Sequence, residues 1–430
     1  MSTVSSQIKV SSFLKWMLVL IWIIGSIVPF WGWCEVGSMI RGGIEGDYVF
    51  LIVGISFYVL FPLVWLLRSM SKKKAMLCLA RNVAILYLLA VLVSYTGAFD
   101  YAIARCAIQG YSISLRLGLS LPGVNVNDDA DSPLCYAAER VNPDCVRLLL
   151  AVPGIDVNKA DADGCTPLSY AAGTGNLECV RLLLAAPGID VNKADMRGGG
   201  TPLHRAAELD SPECLQLLLA VPGIDINKAN EDGESPLFRA AGHGSSENVR
   251  LLLEMPGIDI HKESSDGKTA LHWAAALGNT EGLRLLLAVP GTDINKSDEN
   301  GDTPLLLAAK LGNSESVWLL LGAPGIDVNK SNAYGDTPLL SAAKLGNPVS
   351  VRLLLGAPGI DVNRANKSGE TPLHWSASLA SPECVRLLLA VPGIDVNKTN
   401  KCGETPYRWA IKYGCPESVQ LLVPGTISIR

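Results

Sequence analysis

Histidine and cysteine are the first residue types to test for chemistry. Five histidines are spread over 430 residues, and no HExxH pair sets two of them on one helix face around a glutamate, as zinc-dependent hydrolysis requires. Eleven cysteines include no CxxC pair for metal or redox work. Cys145, Cys179, Cys214 and Cys384 recur at one place of a repeated unit. Packed helices lie ~8–10 Å apart, whereas bridged cysteines need Cα atoms within ~7 Å, so this column is expected to stay unpaired as small apolar filling. A Walker loop, a GxSxG elbow and the kinase HRD and DFG sets are all missing. The reading is a chain without catalytic residues, metal or cofactor. A net charge of −5, with 18% charged residues, gives no basic footprint for nucleic acid.

The elements that would position any site come from a repeat. Ser132-Pro-Leu, Thr166-Pro-Leu, Thr201-Pro-Leu, Ser235-Pro-Leu, Thr269-Ala-Leu, Thr303-Pro-Leu, Thr337-Pro-Leu, Thr371-Pro-Leu and Thr405-Pro-Tyr follow each other in steps of 34 residues, with one step of 35 at "MRGGG" (196–200). A fixed period this long means stacked supersecondary units. Thr166 can cap a helix, and Pro167 suits its first position. Leu168, Ala171 and Ala172 give that helix a small inner face, and Gly175 can end it in the left-handed region. Asn176 opens a second helix with Val180, Leu183 and Leu184 on a buried stripe, and Pro187-Gly188 stops it. Pairs such as Asp163-Gly164 and Asn300-Gly301 mark hairpin tips between units.

These residues resemble the ankyrin repeat, whose signature TPLHxAA is nearest in "TPLHRAA" (201–207), "TALHWAA" (269–275) and "TPLHWSA" (371–377). The resemblance covers 132–430 through nine units; family units are usually about 33 residues, and here the PG joint carries one more. It implies an all-α solenoid with short β-hairpin fingers, and His204, His272 and His374 as structural hydrogen bonders. A degenerate tenth unit aligns without a gap, 101–127 upon 166–192, and the last unit is truncated. The ankyrin domain is therefore expected over 100–430.

In such proteins the places that vary between units line a concave surface that holds protein partners. The resemblance puts Arg197, Glu234, His243, Lys268, Asp302, Lys310, Tyr334, Asp336, Lys344, Glu370, Glu404 and Tyr413 there. Just behind lie Tyr136, Tyr170, Arg205, Arg239, Trp273, Trp375 and Trp409, aromatic and arginine types that anchor interfaces; packing between first helices is the competing role for the tryptophans. A lysine or arginine ends nearly every "GIDVN" joint, but an aspartate three residues earlier balances it, which favours a solvated face over a binding stripe.

The mean hydropathy of +0.27 is high, and the excess is concentrated before residue 100. After a tail at 1–15, three apolar runs at 16–33, 48–67 and 83–99 carry no charge inside and have aromatic residues near their ends. About 17–25 apolar residues cross a bilayer, so 16–99 is read as a membrane domain of three transmembrane helices, the third marginal. Without ionisable groups in these runs, proton relays and ion paths are disfavoured. The function expected is a multi-pass, membrane-anchored scaffold binding an unidentified protein, with the lipid bilayer as partner of 16–99. The alternative is a membrane channel or sensor gated by the array. Basic residues at 68–81 place that connector inside, and three spans then put the array outside the cytoplasm. The many unpaired cysteines favour a reducing compartment instead, so the side stays open.

Overall fold

The computed structural model describes residues 112–119, 126–127 and 132–423, apart from 197, 244 and 380. The three expected spans lie outside these residues. Among the described residues no helix is long and apolar enough to cross a membrane.

Nine helix pairs follow one another from Pro133 to Leu422. Each unit is named here by the residue that opens its triplet. In the Thr303 unit the hydroxyl of Thr303 accepts the Leu306 amide at the N-terminus of helix Pro304–Leu311. Proline at the first position forfeits an amide that has no partner in any helix. The helix ends at Gly312, whose φ of 84° belongs to the left-handed region. Asn313 then opens helix Ser314–Leu321, which buries Val317 and Leu320. In the Ser132 unit the corresponding end falls on Val141, a β-branched residue held at φ 60°. That strain is unusual for such a side chain and costs about 1–2 kcal/mol.

First helices pack against first helices of the units before and after, second helices against second helices, making two layers. Between them runs one continuous core of the alanines and leucines that the triplet helices supply, such as Leu305, Ala308 and Ala309, with the Leu and Val stripe of the second helices. Helix Ser112–Leu119 packs on Pro143–Leu150, with Leu115 fully buried. It occupies the place that the alignment with 177–184 assigns it. Full burial of one leucine is worth about 2–3 kcal/mol, so the core carries most of the stability.

The β-hairpin fingers are corrected in one respect: among the described residues no strand forms. Each finger is a tight turn closed by a backbone bond such as Asp298 N–H to Asp302 C=O (3.0 Å), and it gives a single backbone bond to the finger before it, such as Ala333 N–H to Asn300 C=O (2.8 Å). A strand needs a run of such pairs. One bond per finger is too few.

The "PGIDVN" joints are tied by a ladder that residue periodicity did not reveal. Asn329 donates through Nδ2 to the Gly359 carbonyl (2.7 Å) and accepts the Asp361 amide (2.9 Å) in the next joint. The same two bonds start from Asn127, Asn158, Asn192, Asn227, Asn295 and Asn363. Lys193, Lys228 and Lys398 reach back to the carbonyls of Asn158, Asn192 and Asn363, each at 2.8 Å. These lysines are structural ties rather than a free basic column.

Candidate partner-binding surface

The variable residues gather where the finger bases meet the first helices. A polar residue at each finger base organises them. Asn332 accepts the amides of Tyr334 and Asp336, both at 3.0 Å, which fixes the turn. Its Nδ2 donates to Asp302 Oδ1 of the preceding unit (2.7 Å), while Lys310 holds Asp302 Oδ2 (2.9 Å). Asn366 donates to both Asp336 (3.0 Å) and Glu370 (2.9 Å). Lys344 pairs with Asp336 (2.6 Å) and lies 4.7 Å above the Trp375 ring. The Trp375 indole N–H donates to Glu370 (3.0 Å), and its ring meets Trp409 edge to face at 5.4 Å. Trp409 donates to Glu404 (2.7 Å), which also takes Lys412 (2.9 Å). The Lys412 ammonium, and then the Trp409 N–H, hold the Glu404 carboxyl down at about 2. These contacts join four consecutive units side chain to side chain.

The earlier units use other types at the same places. The Tyr170 hydroxyl donates to Asp161 (2.6 Å); burial, and then that bond, push its pKa up. Arg205 forks onto the buried Asp195 (2.7 and 3.2 Å). Arg239 pairs with Glu234 at 2.7 Å and with Glu208 at 3.7 Å. Tyr136 packs half-buried against the core. Trp273 stacks on Phe238 at 5.4 Å and covers Gly242, where a Cβ would collide with its ring. His243 meets that ring edge at 6.1 Å.

The sites named from sequence thus divide. Lys310, Tyr334, His243 and Tyr413 are exposed to solvent. Asp302, Asp336 and Trp409 are buried and support the surface from beneath. Arg205, Glu234, Arg239, Lys268, Trp273, Lys344, Glu370, Trp375 and Glu404 are half-buried in the network. Arg197 lies outside the described residues. The finger-base residues Asp161, Asp195, Asn230, Ser264, Asp298, Asn332, Asn366 and Asn400 were missed, although a short polar residue recurs there in every unit. The exposed Leu311 and Leu345, at the ends of first helices, were missed as well.

A family model described as "Ankyrin repeats (3 copies)" matches overlapping stretches at 103–195, 134–230, 203–298, 271–366 and 339–430. The chain belongs to the ankyrin repeat family. No curated protein matches it.

Within the ankyrin units the histidines explain themselves. His204 Nδ1 accepts the Thr201 amide (3.1 Å) and lies 2.8 Å from the Thr201 hydroxyl, while Nε2 lies 3.0 Å from the Glu234 carbonyl. An acceptor at Nδ1 and a carbonyl at Nε2 define a neutral ring with its proton on Nε2. His272 and His374 repeat the arrangement. Burial pushes all three pKa values down. Among the described cysteines only Cys402 is exposed. Burial raises Cys135 to about 12 and Cys179 to about 11, which removes the reactive thiolate. Among the described residues no group of His, Cys, Asp and Glu could hold a metal ion.

One member of the network is incomplete. The Trp273 indole N–H is buried without a partner. Glu370 and Glu404 stand five residues before Trp375 and Trp409, but Lys268, a donor, stands five before Trp273. Lys268→Gln supplies an acceptor there and is expected to stabilise the array by about 1 kcal/mol. Urea denaturation of the variant beside the parent checks this; an unchanged or lower midpoint disproves it.

Proposed function

We propose that this protein is a non-catalytic scaffold that holds another protein on the finger and first-helix face of its ankyrin array. In this reading residues 1–15 form a tail, 16–99 anchor the chain in a bilayer as a multi-pass membrane protein, and 100–430 form about ten repeats, the first degenerate and the last truncated. Tyr136, Tyr170, Arg197, Arg205, Glu234, Arg239, His243, Lys268, Trp273, Asp302, Lys310, Tyr334, Asp336, Lys344, Glu370, Trp375, Glu404, Trp409 and Tyr413 build the partner face, the exposed ones by contact and the others by support. No cofactor or nucleic acid takes part.

The observation that carries this reading is a contrast within each unit. The joint side repeats one asparagine bond pattern along the array, broken only at His261 among the described residues, whereas the finger and first-helix side changes its chemistry several times along the same length. Contacts repeated along nearly the whole array cannot select a partner. A rigid scaffold with varying, positioned side chains can.

Cys402, exposed at a finger tip, offers the test. A photo-crosslinker attached to it through a maleimide, in the full chain on alkali-washed membranes, is expected to yield a discrete protein adduct. The adduct should vanish with Cys402→Ser. Absence of any adduct above that control, or loss of the chain from the washed membranes, counts against the reading.

A further inference from the structure

From the Ser235 unit onward the finger tips change sign. Glu231, Asp232, Asp266 and Glu299 mark the tips of the Ser235, Thr269 and Thr303 units, and Lys367 and Lys401 those of the Thr371 and Thr405 units. The Tyr334 tip between them is 64% exposed. The ends of the first helices change in parallel. Glu139 and Glu208 stand where later units carry Lys310, Lys344 and Lys412. Next to these lysines Leu311, Leu345 and Tyr413 are 55%, 50% and 53% exposed, and Leu311 and Leu345 terminate helices whose other apolar residues are buried. Leu345 covers Gly312 of the unit before with one methyl, yet half of its side chain faces solvent.

The charge that a visitor meets here is positive. At the Lys310 pair the carboxylate side chain of Asp302 is 2% exposed and the lysine 52%. At the Lys412 pair the figures are 24% and 54%. Lys367 and Lys401 form no ion pair among the described residues. An ammonium carries three donors, so one carboxylate beneath leaves others pointing outward. Large apolar side chains ringed by outward cations fit carboxylates interleaved with apolar groups.

We propose, resting on the scaffold reading above, that the face over the Thr303 to Thr405 units takes a segment of a partner protein rich in acidic and large apolar side chains. The acidic tips of the Ser235 and Thr269 units exclude that segment from the face just before it. Like charges set its limit near Glu299.

The test uses the immobilised, detergent-solubilised full chain and two mixed-order peptide libraries about 15 residues long, enough at ~3.3 Å per residue to cross several helices ~10 Å apart. One library is composed of Leu, Tyr, Glu and Ser; the other replaces Glu by Lys. The acidic library is expected to be retained at least about tenfold better, and less so as salt rises. Lys367→Glu with Lys401→Glu, exposed tips whose change leaves the core intact, should abolish that preference. Leu311→Ser with Leu345→Ser should weaken retention of the acidic library by about tenfold. Glu231→Lys with Asp232→Lys should not weaken it. Equal retention of both libraries, no retention, or indifference to the lysine and leucine pairs overturns the assignment. So does binding of RNA or of phosphatidylserine vesicles with the same lysine dependence. A Cys402 adduct that persists in the lysine variant would leave the scaffold reading standing while this inference falls.

Discussion

Lowering the pH from about 7.5 to about 5.5 is expected to destabilise the array through three side chains, with about 4 kcal/mol as the upper limit for three groups. His204, His272 and His374 are neutral in the fold, each with Nδ1 accepting an amide and Nε2 facing a carbonyl. Burial is the leading cause of their lowered pKa values, outweighing the nearby Asp298, Glu370 and Glu404 carboxylates that act in the opposite sense. In the unfolded chain they titrate near 6.5, so below that value the unfolded state binds more protons than the folded one. The contribution of these groups is complete above about 6.5 and falls as the pH drops, by at most about 1.4 kcal/mol per pH unit for each histidine. Glu404, held at about 2, lies far below this window. Leu306 and Leu340 occupy the same place in the Thr303 and Thr337 units. The triple variant His204→Leu, His272→Leu, His374→Leu therefore keeps the fold, loses some stability at pH 7.5 with its capping bonds, and loses the steep acid dependence. Urea midpoints of parent and variant across this range decide the matter; parallel pH profiles would refute it.

The triplet, its proline and the alternation of two helices were legible because each depends on local rules: a hydroxyl cap, a proline without an amide to lose, a left-handed glycine. The finger strands were over-read for a related reason. Asn300-Gly301 and Asp163-Gly164 signal a hairpin tip, but whether flanking residues form a strand depends on how many bonds the neighbouring finger offers, and it offers one. The candidate face was legible as a set of varying positions, and not as a structure. Asp302 and Tyr334 vary alike from unit to unit, yet one is 1% and the other 64% exposed. Only the partner across the units, Asn332 for Asp302, separates them. Asn248 stayed hidden for the same reason. It sits where other units have Cys, Gly or Ser, and it donates to the carbonyls of Ala206, Ala207 and Leu209 in the unit before. That helix lacks a glycine end, so its last carbonyls need the outside donor.

The second large effect concerns the joint ladder, which has one missing rung. His261 takes the place of asparagine, and among the described residues no side chain bonds across to the Gly291 carbonyl and the Asp293 amide. A pocket lined by His261, Leu271, Leu286 and Thr292 opens at that seam. Gly291 keeps the φ of 87° that its counterparts show, so the receiving geometry is intact. His261→Asn is then expected to add two hydrogen bonds, worth about 2 kcal/mol together, across the seam. Asn329→Ala should remove two and cost about 2 kcal/mol at another. Stability in a repeat array is close to a sum of unit and neighbour terms, so each change should be felt at its own seam and not uniformly. Hydrogen exchange reads this directly. The Asp293 amide of the parent should exchange faster than that of Asp327, which Asn295 holds at 2.9 Å. His261→Asn should slow it by about tenfold or more, while Asn329→Ala should speed exchange at Asp361. Equal exchange at Asp293 and Asp327 in the parent, or no response to His261→Asn, would mean that the core alone couples the units. If the response appears, the array opens first at His261, between two acidic-tipped units and before those that carry the lysines.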